Sequence, residues 1–448
     1  YHDFSHNRWV SPPAEVVSSG LEAIVRYYEA LELSGSTKSY RLKVVLVGEV
    51  CAGKTSLARS MLDGRPYLTT LEDRTRGVDV HSWKPNGEEP LELMMWDFGA
   101  HKEYDSMRPF FLTTGALNLL VVDINKFYHE ESEGGKLVYS WLDLLLCKVP
   151  GSSVLVVGTH IDCMKSDDEV DCAMKKLDLL IGEHLKDKRE EMEKVCSKRQ
   201  GELGVDEMKE VQPPADLYIS GVMAVSCRSG GEKMDAVRKK IVEVVMHGVR
   251  PGPDGTRLFP TVGKVIPMGW ARASAVMVAL RDGLDPLRAA RKPGEVSHAK
   301  GEGQTMLPYL HLEDAVGKWK GIWKEGNWDG DAEDAAVTAY LKDAVELNQT
   351  EGTFLLSCGI LYLDPSWLNK PLRAILDHRL ADQEQKAYWM EQLKEFDRHP
   401  GVDFCDLTHV HDTFCTTGRL TVGYLRFLWR DLDVDKDEVV FKRLLRTM

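Results

Sequence analysis

The chain has 448 residues, and its 57 Lys plus Arg against 70 Asp plus Glu leave a net charge of −13. A hydrophobic fraction of 43% and a charged fraction of 28% are those of a globular protein and exclude a disordered chain, a collagen or a coiled-coil rod. At about 150 residues per domain this length predicts roughly three domains, and the acidic balance argues against a general nucleic-acid binder.

No apolar run approaches the roughly 18 residues that a membrane-spanning helix needs. The longest, Leu119–Val122 and Val154–Val157, are of strand length. No secretory signal opens the chain, and the nine cysteines are scattered without a CxxC pair. Reduced thiols in a cytoplasmic protein are therefore expected.

Taken in order, Asn7-Arg8-Trp9-Val10-Ser11-Pro12-Pro13 resembles the closing segment of a leucine-rich-repeat array, with Arg8 where such turns carry Pro. The alternative is a surface loop before a helix. Val16, Val17, Leu21, Ile24, Val25 and Tyr28 then recur at helical spacing, predicting one helix over 14–33.

Leu42–Val47 is a β-branched, strand-like run that leads into Gly48-Glu49-Val50-Cys51-Ala52-Gly53-Lys54-Thr55, followed by Ser56 and a helical stretch. This is the full GxxxxGK[ST] pattern between a strand and a helix. Its glycines let main-chain N–H groups wrap phosphates at a helix N-terminus. Lys54 is expected to reach the β and γ phosphates, and Thr55 to ligate Mg²⁺ through its hydroxyl.

Of Thr69, Thr70 and Thr75, the last is the candidate second Mg²⁺ ligand and γ-phosphate sensor, because Thr75-Arg76-Gly77-Val78-Asp79-Val80 matches a Thr-x-Gly-(Val/Ile)-Asp-(Val/Ile) pattern found in one GTPase group. Leu91–Trp96 reads as a strand ending at Asp97-Phe98-Gly99-Ala100-His101. An acid there holds the Mg²⁺ shell in P-loop enzymes. Ala100 stands at the usual Gly of Asp-x-x-Gly and still offers an N–H to the γ phosphate. His101, where a water-orienting Gln is common, is the candidate catalytic residue, with a solvent-facing loop role as the alternative. Arg108 is a lesser candidate for contact with the γ phosphate.

Ser153–Gly158 is a buried strand that delivers Thr159-His160-Ile161-Asp162. Asp162 can accept from guanine N1–H and the exocyclic amine, a donor pair that adenine lacks. Ala224-Val225-Ser226-Cys227-Arg228 resembles the last GTPase motif, with the Cys227 N–H placed to meet guanine O6. The long insert between Asp162 and Ser226, rich in Lys and Glu over 183–210, predicts a solvated helix. Residues 231–247 read as a closing helix, followed by the linker Arg250–Gly255.

Trp96-Asp97-Phe98-Gly99, Thr159-His160-Ile161-Asp162 and the Thr75 segment together resemble the Roc GTPase domain of Roco proteins. Pro260–Pro267 with Trp270, Pro308–Val316, Gly359–Leu368 and Gly418–Trp429 are similar to the COR domain that follows Roc. The resemblance implies an α/β fold: a Ras-like doubly wound P-loop GTPase domain followed by a mainly helical, winged-helix-containing first COR lobe. Its divisions would be a residual repeat cap and linker helix over 1–35, Roc over 36–250 and COR over 251–448.

It further implies an Mg²⁺-dependent GTP-hydrolysing switch. A nucleotide-binding scaffold with negligible hydrolysis is the alternative, motivated by Ala100 and His101, and an ATP-using P-loop enzyme is a third reading that Asp162 disfavours. A homodimer is implied for the full-length protein and a monomer for this chain, which is read as a fragment. Upstream leucine-rich repeats would bind a protein partner. Cys405, His409, His411 and Cys415 have spacing that zinc can use, with the two histidines alternating as if on a strand. Trp319, Trp323 and Trp328 read as packing residues.

Overall fold

The computed structural model describes residues 11–70, 75, 77–85, 90–99, 111–202, 213–250, 255–291, 293, 306–328, 334–376, 388–389, 391–392, 407–432 and 438–447. The first half comprises α1 (Ala14–Ser18), α2 (Leu21–Ser34), β1 (Ser36–Ser39), β2 (Arg41–Val47), α3 (Lys54–Asp63), β3 (Val78–Trp83), β4 (Glu92–Phe98) and β5 (Leu117–Asp123). It continues through α4 (Ile124–His129), α5 (Glu131–Lys148), β6 (Ser153–Thr159), α6 (Asp167–Glu202), β7 (Tyr218–Ala224) and α7 (Glu232–His247). The helix expected over 14–33 is two helices, because Gly20 takes φ 95° and ψ −178°, outside helical geometry.

Six strands form one sheet in the order β3-β4-β2-β5-β6-β7. β3 runs antiparallel to β4 and every other neighbour pair is parallel. The near-continuous apolar runs follow from this arrangement, since central parallel strands are covered on both faces. On one face Val44, Leu46, Leu119, Val121 and Leu155 pack with Leu57 and Met61 of α3 and Val237 and Ile241 of α7. On the other, Val45, Trp96, Leu120 and Val156 pack with Trp141 and Leu145 of α5. Fully burying one such side chain contributes about 1.5–3 kcal/mol, so this double layer holds the strand ends in fixed register.

The second half comprises β8 (Lys264–Pro267), α8 (Met268–Asp282), α9 (Pro286–Arg291), β9 (Tyr309–His311), α10 (Leu312–Gly326), α11 (Asp334–Thr350), β10 (Leu355–Ser357) and β11 (Ile360–Tyr362). α12 (Asn369–Leu376), α13 (Leu407–Thr417), α14 (Val422–Leu428) and α15 (Glu438–Thr447) follow. The short strands form an antiparallel sheet in the order β10-β11-β9, beside α10 and α11 in the manner of a winged helix. Trp319 and Trp323 are buried in its core, and the Trp319 indole donates to Val337 O at 2.7 Å. Ile24, Tyr27 and Ala30 of α2 join this core, and β1 pairs antiparallel with β8.

The histidine pair expected on a strand lies on α13 instead. Two residues apart on a helix point to different sides. His411 is buried, with Nδ1 2.6 Å from the Tyr424 hydroxyl, while His409 is exposed. Cys405 lies outside the described residues, and among those described no cluster of three metal-binding side chains occurs.

The two halves share core. Trp367, Leu372, Tyr424, Trp429 and Phe441 belong to the same apolar cluster as Val45, Val78 and Trp96. The Trp96 indole donates to Gly352 O at 2.8 Å. Lys43, buried on the same face of β2, lies 3.9 Å over the Trp96 ring and donates to Phe111 O at 2.7 Å. Burial pulls its ammonium down from 10.5 to about 7, while the face of the indole offsets part of that by favouring the charged form.

Between about pH 7 and 10 the unfolded chain therefore holds this proton and the folded chain has released it, so stability rises with pH across that window by about 1.4 kcal/mol per unit at most. Lys43→Met is expected to raise Tm at pH 7 and to flatten the stability–pH curve over that window in thermal melts. A variant that melts lower, with the slope intact, would show that the lysine is held as a favourable cation.

Candidate functional site

The phosphate loop runs from the carboxyl end of β2 to the start of α3. Gly48 has φ 143°, and a Cβ there would sit 2.1 Å from Val121 O, so the loop can cross β5 only with glycine at this point. Gly53, left-handed with φ 84°, caps α3 and aims its first N–H groups into the loop. Lys54 Nζ donates to Gly48 O at 3.0 Å and Glu49 O at 2.8 Å, which curls the side chain over the loop. The Trp141 indole donates to Glu49 Oε1 at 3.0 Å, tying the loop carboxylate to α5. A cavity of about 290 Å³ opens in front, walled by Cys51, Lys54, Thr55, Thr75, Gly99 and His160.

At its floor three oxygen-bearing side chains converge. Thr55 Oγ1 donates to Asp97 Oδ2 at 2.5 Å, Thr75 Oγ1 donates to the same atom at 2.8 Å, and the two hydroxyls are 2.8 Å apart. Asp97 is fully buried, and its Oδ1 has no hydrogen-bond partner among the described residues. Burial pushes its carboxyl up, against the Thr55 bond, the Lys54 charge and the Thr75 bond. A buried anion with an unused oxygen beside two hydroxyls fits a hard divalent cation such as Mg²⁺, which takes oxygen ligands. Thr69, by contrast, is engaged with Ser56, the two hydroxyls lying 3.0 Å apart.

Beyond His160, which lines this cavity, the carboxyl ends of β5 and β6 and the turn after β7 carry a second group of side chains. Thr159 Oγ1 donates to Ala52 O at 2.6 Å, clamping the phosphate loop to the end of β6. His160 is left-handed with φ 59°, and its Nδ1 lies 3.1 Å from Thr159 Oγ1 and 3.5 Å from Asp123 Oδ2. Asp123 Oδ1 caps α4 by accepting from Lys126 N at 3.0 Å.

Asp162 Oδ1 accepts from Ser226 Oγ at 2.7 Å, and Oδ2 lies 3.2 Å from Arg228 Nε. Ser226 Oγ in turn accepts from the N–H groups of Arg228 and Ser229, both at 3.1 Å, which shapes the turn after β7. The Cys227 thiol is buried, and burial with the nearby Asp162 charge pushes it up to about 12. It is an inert packing group.

Every predicted site residue from Gly48 to Ser56, with Thr75, Asp97, Thr159, His160, Asp162, Ser226, Cys227 and Arg228, thus lies at the carboxyl edge of the sheet or in the loops there. Ala100, His101 and Arg108 lie outside the described residues. The sequence reading missed Trp141 and Asp123. Asp123 ends an obvious strand, which was a usable signal; Trp141 carried none.

A doubly wound sheet with a phosphate loop after β2, an acid ending β4 and a carboxylate after β6 defines a Ras-like P-loop nucleotide-binding protein. Residues 43–162 match the family model described as "Ras of Complex, Roc, domain of DAPkinase". The chain is 27% identical over 294 residues to the malignant fibrous histiocytoma-amplified sequence 1 homolog of Xenopus tropicalis, covering 59% of this chain and 28% of that protein. It is 23% identical over 210 residues to the probable serine/threonine-protein kinase roco5 of Dictyostelium discoideum, covering 38% and 7%. A solved structure, Methanosarcina barkeri Roco2 RocCORdC bound to GDP, aligns with 90% of this chain and 93% of that one at 15% identity and a TM-score of 0.45. Residues 43–162 thus carry a Roc domain, and Roco proteins are among the relatives of this chain. It spans about a quarter of the length of the Xenopus relative.

Proposed function

We propose that this chain is an Mg²⁺-dependent, GTP-binding and GTP-hydrolysing switch that couples nucleotide state to the arrangement of Roc against COR. The proposed divisions are a repeat cap and linker helix over 1–35, Roc over 36–250 and the first COR lobe over 251–448. The observation that carries this reading is the buried Asp97 carboxylate, approached on one oxygen by Thr55 and Thr75 and with no partner on the other oxygen among the described residues.

Thr55, Thr75 and Asp97 would hold Mg²⁺, which when bound supplies positive charge to the transferring phosphoryl oxygens. Lys54 and the N–H groups of Gly48–Ser56 bind the phosphates and neutralise their charge. Asp162 accepts from the guanine N1–H and exocyclic amine, with the Cys227 N–H and the Ser226 turn beneath O6. His160, packed against Thr159 at the phosphate loop, lines the nucleoside side. His101 would orient the attacking water, and Ala100 N–H would meet the γ phosphate. Hydrolysis by this set works through positioning and electrostatic stabilisation.

The proposed setting is a homodimer in the full-length protein, with upstream repeats engaging a protein partner. Among the described residues no helix is long and apolar enough to cross a membrane.

The decisive experiment follows phosphate release from Mg·GTP by the purified chain beside Lys54→Ala. Release above that control is expected, at a rate below about one per second, since unassisted GTPases are slow. Tight GTP binding with release no faster than the control would favour the scaffold alternative, and tighter binding of ATP than GTP would overturn the base assignment.

A further inference from the structure

We propose that Asn369 is a positioning residue for the Thr75 segment, so that the second half of the chain sets the preference for triphosphate over diphosphate through one side-chain amide. This rests on the guanine-nucleotide reading above and extends it to a named regulatory contact.

β3 is an edge strand, and an edge leaves main-chain N–H and C=O groups to be covered. Asn369, the first residue of α12, covers them at Val78 as another strand would. Its Oδ1 accepts from Val78 N at 2.7 Å and its Nδ2 donates to Val78 O at 2.5 Å. Both atoms of the amide are used, and the residue is 5% exposed.

The neighbouring position is fitted to this contact. Gly77 has φ 93°, and a Cβ on it would lie 2.0 Å from Asn369 Oδ1. Gly77 O accepts from Gly99 N at 2.8 Å, in the loop that follows Asp97. Two residues before Gly77 stands Thr75, with its hydroxyl turned in on Asp97 and Thr55.

Asn369 cannot shift alone, since Trp367, Leu368 and Leu372 around it are buried in the core shared with the sheet. The amide therefore fixes Gly77–Val78, and through them the inward position of Thr75. A γ phosphate engages that position and a diphosphate does not reach it, so the contact stabilises the triphosphate complex selectively. By linkage, triphosphate binding holds α12 against β3 equally strongly.

The test measures affinities of the full chain for Mg·GDP and for a non-hydrolysable Mg·GTP analogue by calorimetry. Asn369→Leu keeps the branched heavy-atom skeleton and removes both hydrogen bonds. It is expected to lower the triphosphate-over-diphosphate affinity ratio by about five-fold or more, a change that general loosening of the fold would not produce. Equal shifts for the two nucleotides, or none, overturn the inference while leaving the guanine reading intact; a chain that binds neither nucleotide overturns both.

Should Asn369→Leu fail to fold, Asn369→Asp carries the test. Its carboxylate repels Val78 O, whereas its protonated form restores one donor and one acceptor. At pH 7.5 its triphosphate-over-diphosphate affinity ratio is expected to fall below that of wild type, and a ratio equal to wild type overturns the proposal.

Discussion

Asp162→Asn is expected to weaken GDP and GTP binding by roughly 100-fold or more and to turn base choice toward xanthine nucleotides. Two groups hold the Asp162 carboxylate: Ser226 donates to Oδ1, and the largely exposed Arg228 guanidinium stands 3.2 Å from Oδ2. These two contacts pre-orient the side chain, so little ordering is needed when a base arrives. Guanine presents two adjacent donors, N1–H and the exocyclic amine, and a carboxylate accepts both. An amide accepts one and sets its own N–H₂ against the other. Xanthine carries a carbonyl in place of that amine, which the new amide can meet. Calorimetry with GDP and XDP on both proteins reads the effect directly. Unchanged GDP affinity would remove Asp162 from the base site.

The parts of the site that the sequence displayed are those where chemistry restricts residue type within a short window. Gly48, Gly53, Lys54 and Thr55 serve one phosphate loop within eight positions, and the flanking strand and helix could be read from their own periodicity. Asp97, Asp162 and Ser226 stand at strand ends, and strand ends are visible as the close of apolar runs.

What escaped the sequence is carried by contacts between distant segments. Asn369 lies 291 positions from Val78, and nothing in Leu368-Asn369-Lys370 marks it as a strand mimic. Lys43 in Leu42-Lys43-Val44 reads as the polar residue of a strand, and only the approach of Trp96 and Phe111 reveals it as buried. The division of the chain is obscured in the same way. α2 precedes the phosphate loop in sequence, yet Tyr27 packs on Trp270 of α8, with ring centroids 5.8 Å apart. The histidine alternation at 409 and 411 suggested a strand because period-two patterns in short segments do not exclude helix; there the burial of His411 against Tyr424 decided the outcome.

Asp97→Asn is expected to act with opposite sign on stability and on function. Asp97 is a fully buried carboxylate that, among the described residues, accepts on Oδ2 alone, and burial pushes its carboxyl up, which marks the ionised form as costly there. Asparagine keeps the shape and can still accept from Thr55 and Thr75 while removing the charge. Removing a buried charge that burial penalises is expected to raise Tm in chelator. The same change takes the anionic oxygen from the proposed Mg²⁺ shell. Triphosphate affinity should then lose its dependence on Mg²⁺, falling about 100-fold in its presence and little in chelator. Thermal melts in chelator and titrations with and without Mg²⁺ give the two readouts. A variant that melts lower than wild type in chelator would mean that Asp97 stabilises the fold in its own right, and a variant that retains Mg²⁺ dependence would place the cation elsewhere. If both expectations hold, the instability stored at Asp97 is what the cation relieves on binding, so nucleotide loading and folding stability are coupled through one carboxylate.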